Sequence, residues 1–238
     1  MRTNELGQPI GAPVAFEGAH RPSMNTLEGR FCRLEKLKVE HSRELYEALA
    51  ADGSGALFTY LSESPPADLG ALTAWFEKVC NSADPAYYAL IERSRGRCLG
   101  RAAYLRIAPS AGSIEVGSIL YAPSLQRTPV ATEAMYLMMQ HAFDELGYRR
   151  YEWKCDSLNE PSRRAAERLG FTYEGTFRQA LVYKGRNRDT AWYAIVDEDW
   201  PAIRQGFEAW FDPANFDESG QQKQSLATFI AAARDAAD

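Results

Sequence analysis

The sequence predicts a mixed α/β fold, a central sheet flanked by helices. Two observations carry this prediction. Apolar runs of strand length alternate with segments whose apolar residues recur at helical spacing, in the order strand, two helices, three strands, helix, strand, helix, two strands. In the middle of the chain, SIEVGSILY (113–121) runs into a short turn that opens a helix, so strands and helices form packed layers of one domain.

Residues 1–28 hold Gly, Pro and Asn without a period and read as an extended arm. RFCRLEKL (30–37) alternates as a strand does, and His41 to Ala51 places Leu45, Ala48 and Leu49 on a helical stripe. ADGSG and SESPPAD break the chain on either side of ALFTYL, and Asp68 then caps a helix through Trp75, Phe76 and Val79 that ends near Asn81. AYYALIER (86–93) and CLGRAAYLRI (98–107) read as a hairpin, followed by SIEVGSILY as a third strand. Met135, Met138, Met139, Ala142, Phe143 and Leu146 make one apolar helix face, and Gly147 ends that helix. RRYEWKCD (149–156) is a strand, and Asn159 caps a short helix with Pro161 in its first turn and Gly170 past its end. FTYEGTFRQALVYKG (171–185) and TAWYAIVDED (190–199) are strands around a turn containing GRNRD. A last helix, Asp199 to Phe211, precedes a polar tail.

The chain has 238 residues, 45% hydrophobic and 25% charged, which is enough for one large domain with its own core. Its net charge of −5 and the lack of a basic cluster argue against nucleic-acid or anionic-membrane binding. Cys32, Cys80, Cys98 and Cys155 are widely spaced, as are the three histidines, so no metal-ligand spacing is present and free thiols in a reducing compartment are expected. The N-terminal residues lack the apolar run of a signal peptide, which points to a cytoplasmic protein.

The turn after SIEVGSILY reads as an ordinary well-capped helix start or as an anion site, and the bulge expected at Gly117 favours the second. A helix N-terminus presents unpaired N–H groups and the positive end of the helix dipole. Thr128 suits the N-cap, and Pro129 suits the first helical position, where its missing N–H matters least. Val130, Ala131 and Thr132 are then expected to offer free N–H groups, with Gln126 and Arg127 adding side-chain donors. Gly117, in the middle of an apolar strand, predicts a bulge that splays this strand from RRYEWKCD. The resulting slot fits an extended, amide-bearing ligand with a pyrophosphate at one end.

Four stretches resemble the GNAT superfamily of acyl-CoA-dependent N-acyltransferases, in its RimJ/RimL-like branch. They are IEVGSILYAPSLQRTPVATEA, NEPSRRAAERLGF, FTYEGTFR and RDTAWYAIVDEDW, in the order and spacing of that branch, and the resemblance covers about Leu27 to Trp200. Two departures stand out. Pro129 and Ala131 occupy the glycine places of the pyrophosphate loop, and Ala166 holds the place where many members carry a tyrosine acid. The resemblance implies a mostly antiparallel sheet splayed between its fourth and fifth strands. It also implies an N-acyltransferase domain over 29–211, leaving an arm (1–28) and a tail (212–238) that could shape the pocket or an oligomer contact.

The activity implied is direct transfer of an acetyl group from acetyl-CoA to a primary amine, of a protein N-terminus or a small molecule, without a metal. Glu115 is the candidate base, directly or through a water, because it lies two residues before Gly117 on the same strand face. Ser162 is the candidate for stabilising the leaving thiolate, at the place where the branch carries a serine. The cofactor is expected on the backbone of Ser118, Ile119 and Leu120, on Gln126, Arg127, Thr128, Val130, Ala131 and Thr132, and on Asn159, Ser162 and Arg164. Arg163 and Arg168 are further phosphate candidates, and Trp75, Tyr104, Trp153, Tyr173 and Tyr183 are candidates for an acceptor pocket. A covalent route through Cys155 lacks an activating neighbour in sequence. The alternative is a non-catalytic acyl-CoA-binding or regulatory module, which would keep the slot without needing Glu115 or Ser162. A doubly wound nucleotide-binding fold would want a Gly-rich turn after the first strand, which is absent.

Overall fold

The computed structural model describes residues 2–236. An eight-stranded sheet forms the centre, in the order β3-β4-β5-β6-β7-β8-β10-β9, and a separate two-residue pair, β1 (Arg2–Thr3) with β2 (Pro9–Ile10), forms a small hairpin in the arm. The sheet strands are β3 (Leu27–Glu28), β4 (Cys32–Lys36), β5 (Ala86–Glu92), β6 (Arg97–Ala108), β7 (Ser113–Tyr121), β8 (Arg150–Asp156), β9 (Thr172–Tyr183) and β10 (Arg186–Val196). Every pairing is antiparallel except β7 with β8, which is parallel.

Helices cover both faces. On one face α1 (His41–Leu49) and α2 (Leu69–Val79) bury Leu45, Leu49, Leu72 and Phe76 against Tyr87, Ala89, Ile91, Ala103 and Leu120. On the other, α3 (Pro129–Gln140), α4 (Glu160–Arg168) and α5 (Trp200–Trp210) pack on Tyr88, Tyr104, Ile114, Val116, Tyr151 and Tyr193. The alternation of side chains along each strand assigns each residue to one face or the other.

Helix starts follow their caps: Asp68 accepts from Ala71 N, Thr128 from Ala131 N and Asn159 from Ser162 N. Three expectations need correction. The segment 131–139 is buried on all sides rather than along one stripe, because α3 lies between the sheet and α5. Beyond Gln140 it continues as a π-turn, His141–Glu145, closed by Leu146 N donating to His141 O at 3.0 Å. The β9–β10 turn falls at Lys184–Gly185, both at positive φ, so Arg186–Asp189 belong to β10.

The tail is the third correction: a helix α6 (Leu226–Asp235), capped by Ser225, buries Leu226, Ile230 and Ala233. It packs on α5 at Gly206, where a Cβ would meet Ile230 backbone at 2.7–2.8 Å. The arm is tied to the domain by Ala19 N on Pro109 O (3.0 Å) and His20 N on Leu146 O (2.8 Å).

Candidate active site

The parallel pair β7–β8 is short. Ser113 to Val116 pair with Arg150 to Trp153, and pairing stops there although β7 runs on to Tyr121 and β8 to Asp156. The strands therefore part into a slot open at their C-terminal ends. The cause lies on β7. Arg101 pairs with Leu120 and Ala103 with Gly117, so Ser118 and Ile119 together oppose the single residue Ala102. Ser118 carries the strain, at φ 51, one residue later than Gly117, the position expected from the sequence. Gly117 has its own reason to be small, since a Cβ there would stand 3.0 Å from Leu105 Cδ2.

The bulge sets which residues face which side. Glu115, Gly117, Ser118 and Leu120 point to the α1/α2 face, as Ser118 Oγ lies 3.4 Å from Tyr87 Oη and Leu120 is in that core. Ile119 packs against the α3 side. On β8, Trp153 and Cys155 face α3 and α4, whereas Glu152 and Lys154 face the other way.

Glu115 is 3% exposed. Its carboxylate lies 2.7 Å from an Arg106 guanidinium nitrogen and 2.9 Å from Lys154 Nζ, and Lys154 also donates to Glu152 at 2.7 Å. Lys154 Nζ sits 3.8 Å from the centroid of the Trp192 ring. Burial pushes the Glu115 carboxyl above its ordinary range, against the opposing pull of Lys154 and Arg106. Burial also acts on Glu152, but hydrogen bonds from Lys154 and Arg150 win, and its carboxyl ends below the ordinary range. Glu115 Oε1 stands 3.5 Å from the place a Gly117 Cβ would occupy, so its carboxylate points along the strand toward the slot.

Ser162 lies across the sheet. Its Oγ accepts from Trp153 Nε1 at 3.0 Å. Burial raises the Cys155 thiol, the opposite of what a nucleophile needs. Asn159 accepts from Ser162 N at 3.2 Å, which leaves its side-chain NH₂ free to donate. Ala166 is fully buried among core residues.

The turn after β7 forms as its capping residues dictate. Arg127 takes a left-handed φ of 60, and Thr128 Oγ1 accepts from Ala131 N at 3.3 Å while Thr128 O accepts from Thr132 N at 3.3 Å. Ala131 and Thr132, expected as free donors, are thus occupied within the turn. Among the described residues, the N–H groups that remain without a partner there are those of Arg127, Thr128 and Val130. Gln126 Nε2 lies 3.5 Å from Tyr121 O. Of the α4 arginines, Arg164 pairs with Glu160 on the exposed side, Arg163 donates to Tyr193 Oη at 3.2 Å, and Arg168 reaches Thr132 Oγ1 at 3.2 Å. The arginine that meets the turn is therefore Arg168, while Arg164 points away. Of the expected pocket aromatics, Trp75 packs against the Arg101 guanidinium in the α1/α2-side core, Trp153 is buried with its Nε1 on Ser162, Tyr104 is buried beneath α3 with its hydroxyl on Met138 O, and Tyr173 packs on Tyr193. Tyr183 donates to Asp156 at 2.8 Å.

Several site groups have no simple sequence signal. Lys154, Arg106 and Trp192 come together only once the register is set. Buried Arg101 pairs with the partly exposed Glu63, although a lone arginine in the apolar run CLGRAAYLRI is a visible oddity. A surface hollow of about 340 Å³ beside Arg149 and Asp197 lies at the paired end of β8, away from the slot. Among the described residues, no cluster of His, Cys, Asp and Glu could hold a metal ion, and no helix is long and apolar enough to cross a membrane.

A splayed parallel pair in an otherwise antiparallel sheet, with a capped turn and helix at its mouth, defines an acetyltransferase of the GNAT type. The family model described as "Acetyltransferase (GNAT) domain" matches residues 32–172, and the chain belongs to that family. A crystal structure of a GCN5-related N-acetyltransferase from Brucella melitensis is similar at 47% identity and a TM-score of 0.89, over 91% of this chain and 99% of that one. A structure described as "probable acetyltransferases (GNAT family)" from Chromobacterium violaceum is 33% identical with a TM-score of 0.75, covering 84% of this chain and all of that one. In line with the RimJ/RimL-like branch, the "Putative ribosomal N-acetyltransferase YdaF" of Bacillus subtilis is 32% identical over 71 residues, 30% of this chain and 39% of that protein. The curated relatives that the chain matches are spanned over half of their length or less.

Proposed function

We propose that the protein is an acetyl-CoA-dependent N-acetyltransferase that acts by direct transfer to a primary amine, of a protein N-terminus or a small molecule. One observation carries the reading: the slot has a buried carboxylate, Glu115, on one sheet face and a hydroxyl, Ser162, on the other. That division suits an amine arriving from the α1/α2 side and a thiolate leaving on the α3/α4 side.

The residues fit the co-substrate. The free N–H groups of Arg127, Thr128 and Val130, at the positive end of α3, suit a pyrophosphate, with Arg168 alongside. The unpaired length of β7 beyond Val116 suits the pantetheine amides, as does the free NH₂ of Asn159. Bound acetyl-CoA supplies an activated thioester. Glu115, kept basic by burial, accepts the proton of the attacking amine directly or through a water. Backbone of the Ser118–Ile119 bulge faces the carbonyl oxygen on which negative charge grows. As the new C–N bond forms and the C–S bond breaks, Ser162 donates its hydroxyl hydrogen bond to the sulfur.

The test is calorimetric titration with acetyl-CoA, followed by thiol release with alanyl and seryl tetrapeptides and simple alkylamines. Saturable binding with turnover on one amine is expected. Glu115→Gln should keep the binding and lose about 10²–10⁴-fold in turnover. Binding without turnover on any amine would favour an acyl-CoA-binding module instead.

A further inference from the structure

The bulge that opens the slot is held from below by a buried charge. Arg101 is 1% exposed. Its guanidinium lies 4.4 Å from the Trp75 ring centroid and 5.7 Å from that of Tyr87. One terminal nitrogen donates to Ser118 O at 2.7 Å and lies 3.1 Å from Ser118 Oγ; the other donates to Glu63. Burial lowers this guanidinium to about 9, still well above neutral pH, so it remains a cation. Burying an arginine guanidinium is a poor way to gain stability, since an apolar side chain of similar volume often serves as well. Arg101 does something an apolar residue cannot. It grips the carbonyl of the strained residue Ser118 and, with its second nitrogen, a different segment of the chain.

That segment, residues 55–64, runs between α1 and α2 as a strap. Lys184 Nζ donates to Phe58 O at 2.6 Å and Arg186 to Thr59 O at 2.7 Å, both from the end of the β9–β10 hairpin. Tyr60 Oη donates to Leu158 O at 3.1 Å, in the loop between β8 and α4. Glu63 then fixes the strap to Arg101. The strap thus joins the far hairpin and the β8–α4 loop to the bulge on β7, on the face where Glu115 lies.

We propose that Arg101 is a positioning residue for acyl transfer, which fixes the Ser118 bulge and couples it through Glu63 to the 55–64 strap. Docking of the strap and the alignment of the bulge backbone are then one event. The catalytic part of this inference rests on the acetyl-transfer reading above; the coupling itself does not.

Hydrogen exchange on the full chain, with and without acetyl-CoA, tests the coupling in wild type, Glu63→Gln and Arg101→Lys. Each variant should raise exchange in both the 56–63 and the 116–121 peptides, although Glu63→Gln touches only the strap. With whichever tetrapeptide or alkylamine turns over, both should lower kcat at saturating acetyl-CoA and acceptor by about tenfold or more. Exchange that rises only in 56–63 after Glu63→Gln overturns the coupling, and an unchanged kcat overturns the positioning role. If Arg101→Lys does not fold, Glu63→Gln decides alone, since Glu63 is partly exposed. If no amine turns over in wild type, the acetyl-transfer reading fails, and the exchange comparison still decides the coupling.

Discussion

At the scale of single residues, the base role proposed for Glu115 depends on how its carboxylate is held. Burial raises its carboxyl while Lys154 and then Arg106 pull it down. A base must be ionised, so turnover should rise as pH rises through the Glu115 pKa and fall below it, with an acid limb above the ordinary carboxylate range. Lys154 is the strongest opposing charge, 2.9 Å away. Lys154→Met removes it, which disfavours the ionised form further, so the limb should move to higher pH. Measuring kcat against pH at saturating substrate in wild type, Lys154→Met and Glu115→Gln checks this. An unmoved limb in Lys154→Met would assign it to another group, and its persistence in Glu115→Gln would remove Glu115 from the role. This pairing also marks where reading the sequence stops. Glu115 and Ser162 are visible at their motif spacings, but Lys154 and Arg106 face Glu115 only because of the parallel β7–β8 register and a second register shift between Leu105 and Ala108, at Arg106, φ 49. Spacing along the chain carries no trace of cross-strand partners of that kind.

At the scale of elements, order and caps are the legible part. Asp68, Thr128 and Asn159 each bond a backbone N–H in the first turn of their helix, a local contact that sequence spacing reports directly. The α6 helix is equally local, with Ser225 as cap and Leu226, Ile230 and Ala233 at i, i+4 and i+7, although the polar run 217–225 before it makes the region read as a tail. Glu133 is the opposite case. In the middle of the apolar α3 it reads as a surface residue, yet it is 5% exposed and accepts from Arg30 N (2.7 Å), Phe31 N (2.6 Å) and Cys32 N (2.7 Å). It thereby clamps the β3–β4 turn onto α3, the helix that opens at the Thr128 turn. Gly29 is small for the same reason, since a Cβ there would lie 2.4 Å from the Glu133 carboxylate. Glu133→Ala leaves three N–H groups unpaired and should cost about 3–5 kcal/mol in denaturant unfolding. Glu133→Gln keeps one acceptor oxygen and should lose less. Equal losses in the two variants would show that packing, rather than hydrogen bonding, is what Glu133 provides.

At the scale of the whole molecule, the chain beyond α5 is an integral part of the domain. Trp210 Nε1 donates to Gln222 at 2.7 Å, Asn215 Nδ2 to Trp210 O at 3.1 Å, and Leu226 and Ile230 are nearly fully buried against α5. Each of those two side chains contributes about 1.5–3 kcal/mol by burial, so ending the chain at Phe211 should lower Tm by about 10 °C or more. A second consequence follows from where α6 ends. Arg234 donates to Gly170 O at 2.9 Å, just past α4, the helix that carries Asn159, Ser162 and Arg168. Gly170 is itself pinned at φ 94, with Ile203 of α5 about 3.2 Å from the place of a Cβ. Loss of α6 should therefore loosen the C-terminal end of α4 and, through Arg168, the turn proposed above for the pyrophosphate. Truncation should weaken acetyl-CoA binding severalfold in titrations below the lowered Tm. Arg234→Met separates the two effects, because it leaves the α5–α6 contact in place: it should reproduce part of the affinity loss with little change in Tm. If Arg234→Met binds acetyl-CoA as wild type does while truncation binds poorly, the tail acts through the stability of α5 alone. If both bind as wild type does, α4 is held by the sheet and Gly170 without help from α6.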